Sequence, residues 1–175
     1  PDGQPIVMYR GNPLEPDVSP DGLLRAAHNG GDYLLRHLLT DATFGYSYEP
    51  QLDEYAKGYN LLRHAGTCYA LLELQLVLDR EQPQASEQPY AEGARRALEQ
   101  LLATHVQGPK PEDAATDSES LVSPWEHAQL WRPALAALAL LRYAEVTGHG
   151  QFRPHLAKLA KFMVFQPEES GRFAA

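Results

Sequence analysis

The sequence predicts an all-α chain built as helical hairpins in two layers. Two observations carry that prediction: helices with one wet face alternate with helices that are apolar all round, and segments of the first kind match one another position by position. A helix apolar on every side needs neighbours on every side, whereas a half-wet helix can form the outer layer. In order along the chain, the helices read amphipathic, buried, amphipathic, buried, amphipathic.

Residues 1–18, rich in Pro, Gly and Asp, read as an extended N-terminal arm, and residues 19–175 as the helical domain. The first helix opens at Ser19, whose side chain can cap a free amide, with Pro20 at the first helical position, where its missing N–H costs nothing. Leu23, Leu24, Ala27, Leu34, Leu35 and Leu38 recur at roughly helical spacing. Gly30-Gly31 marks a break or a close crossing, because each glycine costs about 1 kcal/mol relative to alanine inside a helix. Phe44, Tyr46 and Tyr48 then alternate as in a short extended segment.

The second helix is expected from about Tyr59 to Asp79. A third, "PYAEGARRALEQLLATHV", puts Tyr90, Ala94, Ala97, Leu98, Leu101 and Leu102 on one face. Residues 107–124 are polar and proline-rich, the composition of an exposed loop. The fourth helix, "WRPALAALALLRYAEVTG", tolerates Pro133 only in its first turn and stops at Gly148 as a C-terminal glycine. The fifth is "FRPHLAKLAKFMVFQ". Aligning the third with the fifth pairs Tyr90 with Phe152, Ala94 with Leu156, Ala97 with Leu159 and Leu101 with Met163, which implies a repeat of an outer–inner hairpin, its last copy truncated.

Alternating hairpins, with a Gln and then an acidic-Gly-x-aromatic turn ("QPEESGRF" at residues 166–173), resemble the α/α-toroid proteins. "YNLLRHAGTCYALLEL" and "ALAALALLRYAEVTG" resemble segments of an uncharacterised bacterial branch of that group, which includes six-hairpin glycosidases, polysaccharide lyases, terpene cyclases and lanthionine cyclases. The resemblance implies an α/α-toroid-like arc, incomplete relative to a full six-hairpin barrel. It names no single chemistry, because one toroid hosts unrelated reactions.

The second helix also carries the densest polar chemistry. At 100° per residue, Tyr59, Asn60, Arg63, His64 and Thr67 fall within an arc of about 140°, with Leu61, Leu62, Ala65, Tyr69, Leu72 and Leu76 opposite. Deeper along the helix, Leu71, Leu74 and Leu78 take over the polar arc, so the helix begins wet and ends dry. In a two-layer arc such a stripe opens at the mouth of the inner helices. The approach to the fourth helix, "SPWEHAQLW", would bring Trp125, Glu126, His127 and Gln129 to the same mouth.

Aromatic faces beside amide, hydroxyl and guanidinium groups suit a sugar, whose C–H face stacks on rings while its hydroxyls take hydrogen bonds. On this reading Asn60, Arg63, Thr67, Tyr46, Tyr48, Trp125 and His127 bind the ligand, with Arg63 on a carboxylate such as a uronate. His64 or Tyr59 would move a proton and Glu126 would act as the acid, the other carboxylates nearby being Glu49, Asp53 and Glu54. The alternative use of Arg63 and His64 is structural, satisfying polar groups of the neighbouring hairpin. His64 and Cys68 stand at i, i+4, but no second Cys or Cys-His pair completes a zinc set, so neither a metal nor a cofactor is assigned.

The expected function is therefore a carbohydrate- or glycan-binding or processing domain of a bacterial protein, with glycoside hydrolase- or lyase-like activity if it is an enzyme. The alternative is a non-catalytic helical-repeat module that associates with protein. Net charge of −8 and the lack of a long basic run argue against nucleic acid or an anionic membrane surface as partner. No stretch reaches the roughly 18 apolar residues of a membrane span. A single cysteine, Cys68, rules out an internal disulfide and fits cytoplasm or periplasm alike. The ends, "PDGQPIVMYRGNP" and "SGRFAA", read as cuts in a longer protein, with self-association or the remaining chain as ways to complete the arc.

Overall fold

In the computed structural model, the structure is described for residues 18–55, 58–84, 87–107, 120–121 and 131–164. It is all-α: five helices are present among these residues, α1 (Pro20–Arg36), α2 (Leu61–Glu81), α3 (Pro89–His105), α4 (Trp131–Thr147) and α5 (Arg153–Val164). Two ribbons of two-residue strands accompany them. Within β1 (Tyr48–Glu49) and β2 (Glu54–Tyr55), Tyr48 faces Tyr55 across the pair and Glu49 faces Glu54. The second ribbon joins β3 (Val106–Gln107) to β4 (Ser120–Leu121), pinching the ends of the long polar segment together.

α1 starts as the sequence dictates: the Ser19 hydroxyl accepts the Gly22 amide at 3.1 Å, and Pro20 is its first residue. The helix runs unbroken through Gly30-Gly31, where a crossing replaces a break. A Cβ on Gly31 would lie 2.3 Å from a Leu74 methyl and 2.8 Å from the Tyr90 ring, so only glycine allows α1 this close to α2 and α3. The first half of α1 does not pack as its leucines led one to expect. Leu23 is 60% exposed, and Gly31 is the helix's one buried residue.

α2 begins two residues later than the periodicity suggests, because the Asn60 side chain caps it by accepting the Arg63 amide at 2.9 Å. Tyr59 and Asn60 thus precede the helix. α2 packs antiparallel to α3: His64 meets Ala97 near one end, and Gln75 meets Tyr90 near the other. Gln75 is fully buried yet satisfied. Its carbonyl accepts the Tyr90 and Ala91 amides at 3.1 and 3.3 Å, and its NH2 donates to Asp79 at 2.7 Å. α3 has no side-chain cap at its own N-cap residue, Gln88, so α2 supplies the missing acceptor.

α4 runs in the same direction as α2. The Leu135 side chain lies against Gly66 near the starts of both helices, and Arg142 meets Tyr69 and Glu73 further along, with Arg142 Nε 2.7 Å from the Glu73 carboxylate. The core lies among α2, α3 and α4, where Cys68, Leu71, Leu72, Ala94, Leu98, Leu101, Ala136, Ala139 and Leu140 are wholly or almost wholly buried. Removing such side chains from water is the main drive to fold, at roughly 1.5–3 kcal/mol for each large aliphatic one. Tyr90 and Phe152, like Ala97 and Leu159, are buried, so these two pairs aligned between the third and fifth helices turn the same way.

α4 departs from its expected burial. Trp131, Leu138 and Leu141 are 40%, 50% and 44% exposed, so one apolar side of this helix is uncovered among the described residues. Gly148 ends α4 with φ of +72°, a backbone that glycine adopts without cost. Among the described residues, no helix is long and apolar enough to cross a membrane. The N-terminal arm through residue 17, most of the loop at 107–124, and the "QPEESGRF" turn lie outside the described residues.

Candidate functional site

A tight reversal after α1 creates the site. The Leu39 amide donates to the Thr43 carbonyl at 2.8 Å, Ala42 takes a left-handed φ of 61°, and the Asp41 carboxylate accepts both the amide and the hydroxyl of Thr43. Those two bonds, backbone first, hold the Asp41 carboxyl below its usual range. Leu38 then bridges to Phe44, and the Gly45 amide donates to the His37 carbonyl, so residues 44–46 double back along the end of α1 toward the start of α2.

Between these segments lies a pocket of about 180 Å³. Tyr33, Leu34 and His37 of α1 and its C-cap form one wall, Phe44, Gly45 and Tyr46 a second, and Tyr59, Asn60, Arg63, His64 and Thr67 the rest. Six residues singled out from the sequence therefore meet here: Tyr46, Tyr59, Asn60, Arg63, His64 and Thr67. Tyr48 does not line the pocket; its hydroxyl donates to Asp53 on the β1–β2 ribbon. Trp125, Glu126 and His127 lie outside the described residues. Glu49, Asp53 and Glu54 stand on the ribbon, and none of them lines the pocket.

The polar stripe of α2 divides in two. Arg63 is exposed, with its guanidinium 4.9 Å above the Tyr46 ring, and among the described residues it has no carboxylate partner. His64, one residue and 100° further round, turns inward and is 2% exposed. Its Nε2–H donates to the Ala97 carbonyl at 2.8 Å, which leaves Nδ1 to accept the Tyr59 hydroxyl. The Phe44 and Tyr59 rings meet the imidazole edge-on at 5.3 and 5.6 Å. Burial drives the His64 pKa down to about 4, the nearby His105 adds to this, and the Ala97 hydrogen bond opposes it. Burial likewise pushes the Tyr59 phenol well above its usual range. Both groups are spoken for within the protein, which counts against their moving protons for a substrate.

The groups still open to a ligand lie around the rim. Asn60 spends its carbonyl on the helix cap, which leaves its NH2 unpaired among the described residues. His37 donates Nδ1–H to the Tyr33 carbonyl at 2.9 Å and stacks on the Tyr33 ring with centroids 4.1 Å apart, which leaves its Nε2 unpaired among the described residues. Thr67 donates to the Arg63 carbonyl at 2.8 Å and keeps its lone pairs. Tyr33 and His37 carry no signal in the pattern of α1 beyond their i, i+4 spacing, and the reversal at residues 39–43 alone brings them to the site. Cys68 is fully buried and its thiol pKa is raised by burial, a core residue without access.

No protein-family model, no curated protein and no solved structure matches this chain. A functional reading rests on the pocket itself.

Proposed function

We propose that this pocket binds a sugar carrying a carboxylate, within a carbohydrate- or glycan-binding domain whose helices form an incomplete α/α-toroid-like arc. The observation that carries the reading is the Arg63 guanidinium, stacked on Tyr46 and unpaired among the described residues, at the rim of an aromatic-walled pocket. A guanidinium clasps a carboxylate through two parallel N–H donors, and stacking on a ring holds the fork ready. Tyr33, His37, Tyr46 and Asn60 add ring faces and open hydrogen-bonding groups around it. A volume of about 180 Å³ lies below the ~300–1,000 Å³ of drug-sized sites and suits one sugar ring.

The directions of the helices support the arc. α2 and α4 run one way and pack directly on each other, while α3 packs on α2 and runs the other way. In a longer arc the uncovered side of α4 would look into the hollow. We assign recognition, not turnover, to the described residues, because no carboxylate among them lines the pocket and glycoside cleavage needs one. Titration calorimetry with D-glucuronate and with D-glucose, on the native chain and on Arg63→Ala, tests this reading. Glucuronate binding that Arg63→Ala removes supports it, and equal heats from both proteins end it.

One observation favours the second reading, a module that associates with protein. Trp131, Leu138 and Leu141 recur at helical spacing on the open side of α4. Leu138→Glu with Leu141→Glu should then turn a sedimenting dimer into a monomer. A native chain already monomeric at high concentration removes self-association.

A further inference from the structure

A second pair of aromatic rings stands beside the pocket. Gly45, which lines it, has the Tyr55 ring where a side chain would stand: a Cβ there would be 2.4 Å from the ring edge. Tyr55 in turn meets Tyr48 edge to face, with centroids 5.5 Å apart and planes at 65°. The two tyrosines are strand partners on one side of the ribbon, and both remain open to solvent at 44% and 48%. The Tyr55–Tyr48 pair thus stands beside the pocket, against the Gly45 that lines it.

Charge changes sign between the pocket and this pair. Arg63 is the one arginine or lysine lining the pocket among the described residues. The tyrosine shelf ends in the Asp53 carboxylate, which accepts the Tyr48 hydroxyl and raises that phenol's pKa, and Glu49 and Glu54 stand on the ribbon's other side. A second carboxylate on the shelf would meet like charge, whereas an uncharged sugar ring would stack.

We propose that the ligand is a glycan with one acidic terminal residue held in the Arg63 pocket and a neutral sugar next to it on the Tyr55–Tyr48 shelf. This inference rests on the pocket reading above.

Three probes test it: D-glucuronate, a tetrasaccharide of one terminal glucuronate on three neutral sugars, and tetragalacturonate. The native chain should bind the mixed tetrasaccharide about tenfold more tightly than glucuronate, the gain expected of one good ring stack. Tyr55→Ala should remove that gain and leave glucuronate binding intact, which also shows that the variant is folded. Tetragalacturonate should gain nothing over glucuronate until Asp53 is replaced. Asp53→Asn suits that purpose, because asparagine accepts the left-handed φ of 54° at this position.

If glucuronate binds through Arg63 but the mixed tetrasaccharide binds no more tightly, the shelf is overturned and the pocket reading stands. Tetragalacturonate gaining as much as the mixed probe in the native chain overturns the charge pattern. If no probe binds, both the pocket reading and this inference fall.

Discussion

His64 of α2 donates its Nε2 proton to the Ala97 carbonyl of α3 at 2.8 Å, and this bond fixes the neutral tautomer whose other nitrogen accepts from Tyr59. It ties the pocket floor to the α2–α3 interface. The same residue is both wall and brace.

That arrangement makes stability depend on pH. The unfolded chain takes up the imidazole proton near 6.5 and the folded chain only near 4, because the charged form is unfavourable in a buried site. His64 therefore contributes fully above pH 6.5, and its contribution fades as pH falls toward 4, by about 3 kcal/mol in all. Thermal melts of the native chain and of His64→Gln between pH 4 and 7.5 should converge at the acid end. Parallel curves would show that the imidazole takes up its proton alike in the folded and unfolded chains and is not held neutral by burial.

The two neighbouring glycines of α1 should respond in opposite ways. Gly30 has open space where a Cβ would go, so Gly30→Ala should stabilise by about 0.5–1 kcal/mol through helix propensity. Gly31→Ala drives a methyl into Leu74 and the Tyr90 ring and should cost about 1–3 kcal/mol despite the same propensity gain. Urea midpoints of the two variants on the same side of the native value would refute the crossing.

Arg63→Lys separates charge from shape. Lysine keeps the cation but loses the planar fork and the stack on Tyr46. Glucuronate affinity should fall about tenfold, the melting temperature staying within a degree or two of native, since Arg63 is exposed and has no ion pair among the described residues. An unchanged affinity would mean that a point charge alone suffices.

Gly45→Ala is a graded test of the ribbon's seat. The added methyl must push the Tyr55 ring outward, and because Tyr55 is 44% exposed the stability cost should stay below about 1 kcal/mol. NMR shifts of Tyr55 and Tyr48 should move together, since their rings touch. Shifts confined to Tyr46 would place the ribbon elsewhere.

Much of the helical frame could be read before any coordinates. Ser19, Pro20 and Gly148 act locally, so their meaning does not depend on distant neighbours. The gathering of Arg63, His64 and Thr67 was also legible, because helical spacing sets it, whereas Tyr59 and Asn60 precede α2 and join them through the Tyr59–His64 bond and the helix cap. What spacing could not reveal is which edge of that stripe meets α3. His64 and Arg63 are adjacent in sequence, and the docking of a helix 33 residues away decides that one is buried and the other open. Tyr33 and His37 were missed for a related reason: their place in the pocket follows from the Leu39–Thr43 reversal, which the side-chain pattern of α1 does not encode. The uncovered side of α4 was misread as core because an Ala- and Leu-rich helix looks the same whether or not a neighbour covers it.

The Gln75 acceptor beneath the first turn of α3 has a kinetic meaning. A helix whose opening amides close on a residue from another helix gains little by nucleating early and alone. α2 and α3 should accordingly form as one foldon, with the Tyr90 and Ala91 amides exchanging with deuterium at the pace of the α2 centre and not at that of a frayed end.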